Sequence, residues 1–262
     1  MLSVLVPDAF AALLDAPVVE LDRGALLIAS ELRDEPIDVS AQLTRLDEMA
    51  DALPEPTLDG LTRRIFDELG FQGNAGDYYD PHNSYLDSVL DRRRGIPITL
   101  SVLCIEVGRR AGVPLAGVGM PGHFLLRDQV DRSLYVDPYR RGRRLDRDGC
   151  AELFRQIQGP TATFDPSMLE PVDSTQILTR MLANLRIIFT SRGDRFRLAQ
   201  VLRLLVGLPG VGPALVSEAS EVLTSIGRFD LAAEAADRLA RSDAANAPDH
   251  HARADRLRAR LN

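Results

Sequence analysis

The sequence contains no lysine: all 31 of its basic residues are arginine. Such a chain has no ε-amine of its own to offer in amide chemistry, and genomic composition is the simplest source of the bias. Cysteine is almost as scarce. Cys104 and Cys150 are too few for a disulfide framework and have no zinc-ligand spacing, so both are expected as reduced thiols. No motif calls for a cofactor or a metal, and none is expected. No apolar run approaches the roughly 20 residues of a bilayer-spanning helix. No basic segment precedes the first apolar residues, as a secretory leader requires. A cytoplasmic protein without membrane contact is therefore expected. A net charge of -7 argues against a nucleic-acid partner.

What is present is an ordinary globular composition. With 262 residues, 45% apolar and 26% charged, the chain suffices for one large domain or two modest ones. Charge is unevenly spread. Residues 1–75 hold 15 acids and 5 arginines, whereas residues 174–262 hold 9 acids and 13 arginines. Solvated surfaces of opposite bias account for this, and a contact within the chain or with a partner is the sharper alternative.

Three regions follow from the hydrophobic pattern. Residues 1–75 read as helical. Leu26, Leu27, Ala29 and Leu32 form one stripe. A second helix starts near Asp38 or Ser40, and a third is capped by Thr57 and closed by Gly70. Residues 76–170 read as the core domain. There Asp80-Pro81 opens a helix that ends in Arg92-Arg93-Arg94-Gly95. Pro97 opens a central helix whose Leu100, Leu103, Cys104, Val107 and Ala111 share a face. Short strands are expected at 115–120, 123–127 and 134–136, then a short helix at 151–157, with Pro171 at the boundary. Residues 174–262 read as all helical. Gly193-Asp194-Arg195-Phe196-Arg197-Leu198-Ala199 aligns with Gly227-Arg228-Phe229-Asp230-Leu231-Ala232-Ala233 at an offset of 34 residues. That period suggests a tetratricopeptide-like repeat without its usual Trp, and two unrelated helical hairpins are the alternative.

The chemistry concentrates at a hairpin. If its turn is centred on Val130, Leu126 faces Leu134, Phe124 faces Val136, and His123 faces Asp137. Alternation then puts Phe124, Leu126, Leu134 and Val136 on the core side. The opposite side carries His123, Leu125, Tyr135 and Asp137. A His–Asp pair fixes an imidazole tautomer and supports its cation. It serves a nucleophile–His–Asp relay or simply closes a strand end. Cys104 is the thiol nearest in sequence, yet it falls about two turns inside the helix on the apolar stripe, away from the first turn that stabilises thiolate. Cys150 reads as incidental. Thr99 and Ser101 lie in the first turn of the helix. Asn83, Tyr85, Ser101 and Tyr135 are candidate binding residues.

Four stretches together carry a resemblance. They are Tyr79-Asp80-Pro81-His82-Asn83-Ser84-Tyr85-Leu86, Arg92-Arg93-Arg94-Gly95-Ile96-Pro97-Ile98-Thr99-Leu100-Ser101, Pro121-Gly122-His123-Phe124-Leu125, and Val136-Asp137-Pro138-Tyr139. Over roughly residues 20–160 the chain resembles the SirB-type branch of the transglutaminase-like superfamily. The resemblance implies an α+β, papain-like core, with a central helix packed on a small antiparallel sheet and tetratricopeptide-like helices behind it. It implies His123 and Asp137 as the superfamily's His and Asp. The superfamily's Cys opens the central helix, and the matching position here is Pro97 or Ile98.

Two main expectations result. In the first, the chain is a binding or regulatory module without the usual nucleophile, engaging a protein or peptide through its C-terminal helices. In the second, it is a cysteine-dependent amide hydrolase or acyltransferase with Cys104 as nucleophile, His123 as base and Asp137 as orienter. A third reading places non-thiol chemistry at His123, near Asn83 or Tyr85.

Overall fold

A computed structural model describes residues 5–243 and 245–261, so the expectations for residues 1–4, 244 and 262 lie outside it. The described residues of 20–30 and 35–181 form one compact unit, and those of 1–19, 31–34 and 182–262 form another.

The first unit is α+β. Its helices begin with residues 21–30 of α2 (Leu21–Leu32), which follows the short α1 (Asp8–Leu14) of the second unit. On α2 the expected stripe is buried at Leu26, Ala29 and Leu32, and Leu27 is half-buried. Next comes α3 (Val39–Asp51), capped by Asp38, which accepts from Ala41 N. Such a cap stabilises a helix by about 1 kcal/mol. Thr57 caps α4 (Leu58–Thr62) in the same way, and the helix then widens into π turns over Arg63–Glu68.

The segment from Asp80 to Gly95 is not one helix. Asp80 caps a single 3-10 turn, Pro81–Asn83, and α5 (Leu86–Arg92) follows after a break. Arg93, at φ 56, takes the left-handed position that ends α5. Gly95 instead belongs to β2 (Arg94–Gly95), which pairs in parallel with β1 (Gln72–Gly73). Recruitment into this small sheet overrides the local helix-ending signal of the Arg-Gly run.

The central helix is α6 (Pro97–Ala111), with Pro97 at its first position and Gly112 left-handed at its end. A five-stranded antiparallel sheet follows: β3 (Leu115–Val118), β4 (Leu125–Asp128), β5 (Tyr135–Asp137), β6 (Arg143–Leu145) and, beyond α7 (Arg147–Gln158), β7 (Pro171–Val172). Its strand order is β6-β5-β4-β3-β7. Pro171 is therefore a strand residue paired with Val118, and the unit continues to residue 181.

The register differs from the one read off the turn. Leu126 pairs with Val136 and Arg127 with Tyr135, two residues away from the expected match. The turn is longer on one side because Asp128 N bonds Leu134 O and Gln129 N bonds Pro114 O. The sheet is also buried on both faces. Leu126 and Val136 are covered on one. On the other, Val118, Met120, Leu125, Tyr135 and Leu145 pack with Cys150, Leu153 and Phe154 of α7. Leu125 and Tyr135 were expected away from the core. Helix α7, which starts four residues earlier than expected and includes Cys150, is what covers them.

The second unit is helical. It takes in the end of α8 (Ser174–Arg192), then α9 (Arg195–Gly207), α10 (Pro213–Ser225), α11 (Phe229–Ser242) and α12 (Ala247–Arg258). Gly193 and Gly227, 34 residues apart, both adopt positive φ (66 and 79) at the turns before α9 and α11. Helices α9 to α12 pack as successive neighbours. Among the described residues, no helix is long and apolar enough to cross a membrane.

Candidate functional site

Three local structures build the site. The first is the start of α6. Ile96 occupies its cap position without a side-chain hydrogen bond, and Pro97 supplies no N–H. Asn83 holds this end in place. Its carbonyl accepts from Thr99 Oγ1 at 2.8 Å and from Ile96 N at 3.3 Å. Its side chain donates to Asp77 O at 2.7 Å and Tyr78 O at 3.3 Å, and accepts from Asn74 at 3.0 Å. Asn83, a candidate binding residue, is thus fully buried as the joint between the 74–80 loop and α6. Tyr85 and Ser101 are buried too, and Ser101 Oγ donates back to Pro97 O at 2.8 Å.

The second structure is the turn before β4. Strand β4 begins at Leu125 rather than at His123, and Met120-Pro121-Gly122-His123 forms a turn closed by His123 N to Met120 O at 3.0 Å. Gly122 has φ +76, and a Cβ there would lie 2.4 Å from Gln158 Nε2 and 2.7 Å from Ile157. Only glycine fits both demands at low cost. Gln158 also donates to Pro121 O at 3.2 Å. From α8, Arg180 Nη2 donates to Met120 O at 2.7 Å and to His123 O at 2.8 Å, and its guanidinium lies 5.5 Å from the Phe124 ring centre.

The third structure is the end of β5. Asp137, fully buried, caps the 3-10 turn Pro138–Arg140 through Oδ1, which accepts from Tyr139 N at 3.1 Å and Arg140 N at 3.3 Å. The same oxygen lies 3.0 Å from His123 Nε2. The His123–Asp137 pair therefore exists, but the register does not place the two residues opposite each other. The bend at 121–123 carries the imidazole across. Among the described residues, no hydrogen bond reaches His123 Nδ1, and Asp137 Oδ2 is buried without one.

An aromatic wall flanks the pair. The Tyr139 ring stands edge-on to His123 with centres 6.1 Å apart, and Tyr78 stands edge-on to Tyr139 at 6.0 Å. Gly73 of β1 lies under Tyr139, where a Cβ would come within 2.4 Å of the ring. Tyr79, 63% exposed, extends the wall outward.

Neither thiol joins this group through a hydrogen bond. Cys104 is 2% exposed within α6, and burial alone pushes its thiol far above the ordinary thiol range. Cys150 is fully buried, and its thiol is pushed up to about 12 by burial, then by the carboxylates of Asp146 and Asp137. Tyr135 packs in the α7-side core and borders an open cavity of about 570 Å³ whose lining includes neither His123 nor Asp137. No group of three or more His, Cys, Asp or Glu side chains suited to a metal occurs among the described residues. Arg180 and Tyr78 are the site residues that sequence reasoning missed. Arg180 sits beyond the expected boundary at Pro171, and Tyr78 carried no signal beyond its place in a turn-rich loop.

The comparisons with known proteins fall on this same region. The family model described as transglutaminase-like superfamily matches residues 20–183. A UPF0162 protein of Xylella fastidiosa is 40% identical over 201 residues, 70% of each chain. A UPF0162 protein of Pseudomonas aeruginosa is 36% identical over 156 residues, 59% of this chain and 56% of its own. Human F-box only protein 21 is 34% identical over 163 residues, 58% of this chain and 24% of its own. The matched family segment contains α6, the sheet, the His123–Asp137 pair and Arg180. The chain belongs to the transglutaminase-like superfamily.

Proposed function

We propose that this chain is a non-catalytic binding module of the SirB-type branch, in which a transglutaminase-like core keeps its His–Asp pair but uses no thiol. The observation that carries the reading is the start of α6. Pro97 and Ile98, the two positions that match the superfamily's Cys, open the helix, and Cys104 lies about two turns further in at 2% exposure. A thiol so buried forms thiolate poorly, and the helix N-terminus does not reach it. Four relations hold His123 and Asp137 firmly in place: the pair itself, the Asp137 cap, the Arg180 bonds and the Gly122 turn. The pair then serves as a rigid support beneath the Tyr139–Tyr78 surface rather than as a relay. Human F-box only protein 21 shares this segment over 24% of its own length, which supports a core that works when attached to unrelated remainders.

The C-terminal helices supply a second surface in this proposal. The glycine turns 34 residues apart and the serial packing of α9 to α12 support a tetratricopeptide-like arrangement. Ile187 and Phe196, 61% and 69% exposed, are apolar residues available to a protein or peptide partner. A cytoplasmic setting with no nucleic acid and no membrane belongs to the same proposal.

Iodoacetamide labelling followed by mass spectrometry tests the core of it. In the folded protein at neutral pH, Cys104 is expected to label at least about a thousandfold more slowly than in urea, because exposure requires opening of a core helix. Incorporation of a fluorescent amine into glutamine-rich protein is expected at background, unchanged by C104A. Rapid labelling of Cys104, or amine incorporation that C104A removes, overturns the reading in favour of the cysteine-dependent enzyme.

A further inference from the structure

Arg180 is a cation without an anion. It is half-buried. No Asp or Glu of the described residues lies within ion-pair distance of it, in contrast to Arg110, which bridges Asp22, Asp47 and Glu106. One of its terminal nitrogens is committed to the carbonyls of Met120 and His123. Its Nε and other terminal nitrogen donate no hydrogen bond among the described residues. The Tyr78 phenol, its electrostatic neighbour, is neutral at ordinary pH, and burial raises it further. A partly desolvated guanidinium is costly without a counter-charge, and the costs are met when a planar carboxylate takes its fork.

The surroundings suit such a group. The neighbouring phenols of Tyr78 and Tyr139 can donate hydrogen bonds, whereas the His123 Nε2 N–H is directed to Asp137. The Asp137 carboxylate is fully buried and turned to His123 and to backbone N–H groups, with Arg140 Nε 3.8 Å from its other oxygen. A negative group entering beside Tyr78 therefore meets donors, while the tyrosine faces cover apolar atoms next to it.

We propose that Arg180, with Tyr78 and the His123 turn, forms a carboxylate-binding site beside the His123–Asp137 pair, and that its ligand is the carboxylate of a peptide, at a chain end or on an acidic side chain. This deepens the binding-module reading by naming the chemistry bound. The Arg180 guanidinium holds both the ligand and the carbonyls of the His123 turn, so occupancy tightens the turn.

The test is a titration of the full chain followed through the Arg180 Nε–Hε signal by NMR. N-acetylglycine represents a chain end, and N-acetylglutamate α-amide an acidic side chain. N-acetylglycinamide is the uncharged control. A saturable shift with at least one carboxylate and none with the amide is expected. The tighter of the two carboxylates identifies the source. R180K, which keeps the charge and removes the fork, is expected to weaken binding about tenfold or more, read on the Tyr78 and His123 signals, and Y78F more modestly. No saturable shift with either carboxylate, equal shifts with the amide, or R180K binding within about twofold of wild type overturns the proposal. Thiol labelling and amine incorporation are independent of this titration. A protein that proves catalytic can still bind carboxylate here, and a thiol-silent one can still fail to.

Discussion

Asn83 provides the sharpest test of how the 74–80 loop and the start of α6 are held together. Its side chain makes three hydrogen bonds, two donated to the carbonyls of Asp77 and Tyr78 and one accepted from Asn74, in a fully buried position. Truncation in N83A removes all three. At a net contribution of about 1 kcal/mol each, the loss is about 3 kcal/mol. Asn74, 5% exposed, is left with an unpaired amide, which keeps the figure from falling much lower. For a chain of this size, each kcal/mol lowers Tm by about 2–4 °C, so a fall of about 6–12 °C is expected by calorimetry. N83D is the informative companion. It keeps the acceptor for Asn74 but turns an oxygen toward two carbonyl oxygens, so it is expected to be at least as unstable as N83A despite its matching shape. Hydrogen exchange should show the loss concentrated in the 74–80 loop and the first turn of α6. An N83A protein melting within about 2 °C of wild type, or an N83D protein more stable than N83A, would refute the reasoning.

Other expectations concern separate parts of the molecule. Burial, then the Asp22 charge, raises the Glu106 carboxyl above its ordinary 4.5. The folded chain therefore holds a proton there that the unfolded chain releases, and stability falls as pH rises from about 4.5 through the folded value. E106Q removes that fall, so its urea midpoint relative to wild type should climb between about pH 4 and pH 7; a constant difference contradicts the assignment. G122A places a side chain at positive φ against Ile157 and Gln158, and should cost about 1–3 kcal/mol in chemical unfolding. G73A drives the Tyr139 ring off its seat, and should shift the Tyr139 and His123 ring signals in NMR while leaving α9 to α12 unchanged. Arg186 and Glu218 form a two-bonded pair that is part-exposed, so E218A should cost no more than about 1 kcal/mol.

How far the sequence reveals this molecule depends on the range of each interaction. The caps at Asp38 and Thr57, Pro97 at the start of α6 and the two glycine turns near residues 193 and 227 are local, and each is legible from a few neighbours. The hairpin register was not legible, because it depends on Gln129 bonding Pro114 and on how β3 aligns with β4. The His123–Asp137 pair was anticipated through a pairing that does not occur; the bend at Gly122 brings the same two side chains together by another route. The burial of Tyr135 needed knowledge of α7, whose apolar face closes the second side of the sheet. Arg180 was out of reach altogether. Its role is set by carbonyls 57 and 60 residues away, and no local pattern distinguishes it from the other arginines.

The short pairing of β7 with β3 has a practical side. Pro171 and Val172 cover one edge of the sheet, and Ile177 follows closely over Gly117 and Phe124. A truncation at residue 170, at the end of the core domain expected from sequence, would bare the hydrogen-bonding edge of β3 and the Phe124 ring together. An open strand edge beside exposed apolar surface invites chain-to-chain pairing. Fragments that stop there should therefore be lost to insoluble aggregates during expression, whereas those carried past Arg180 keep the edge covered and the His123 turn tied down.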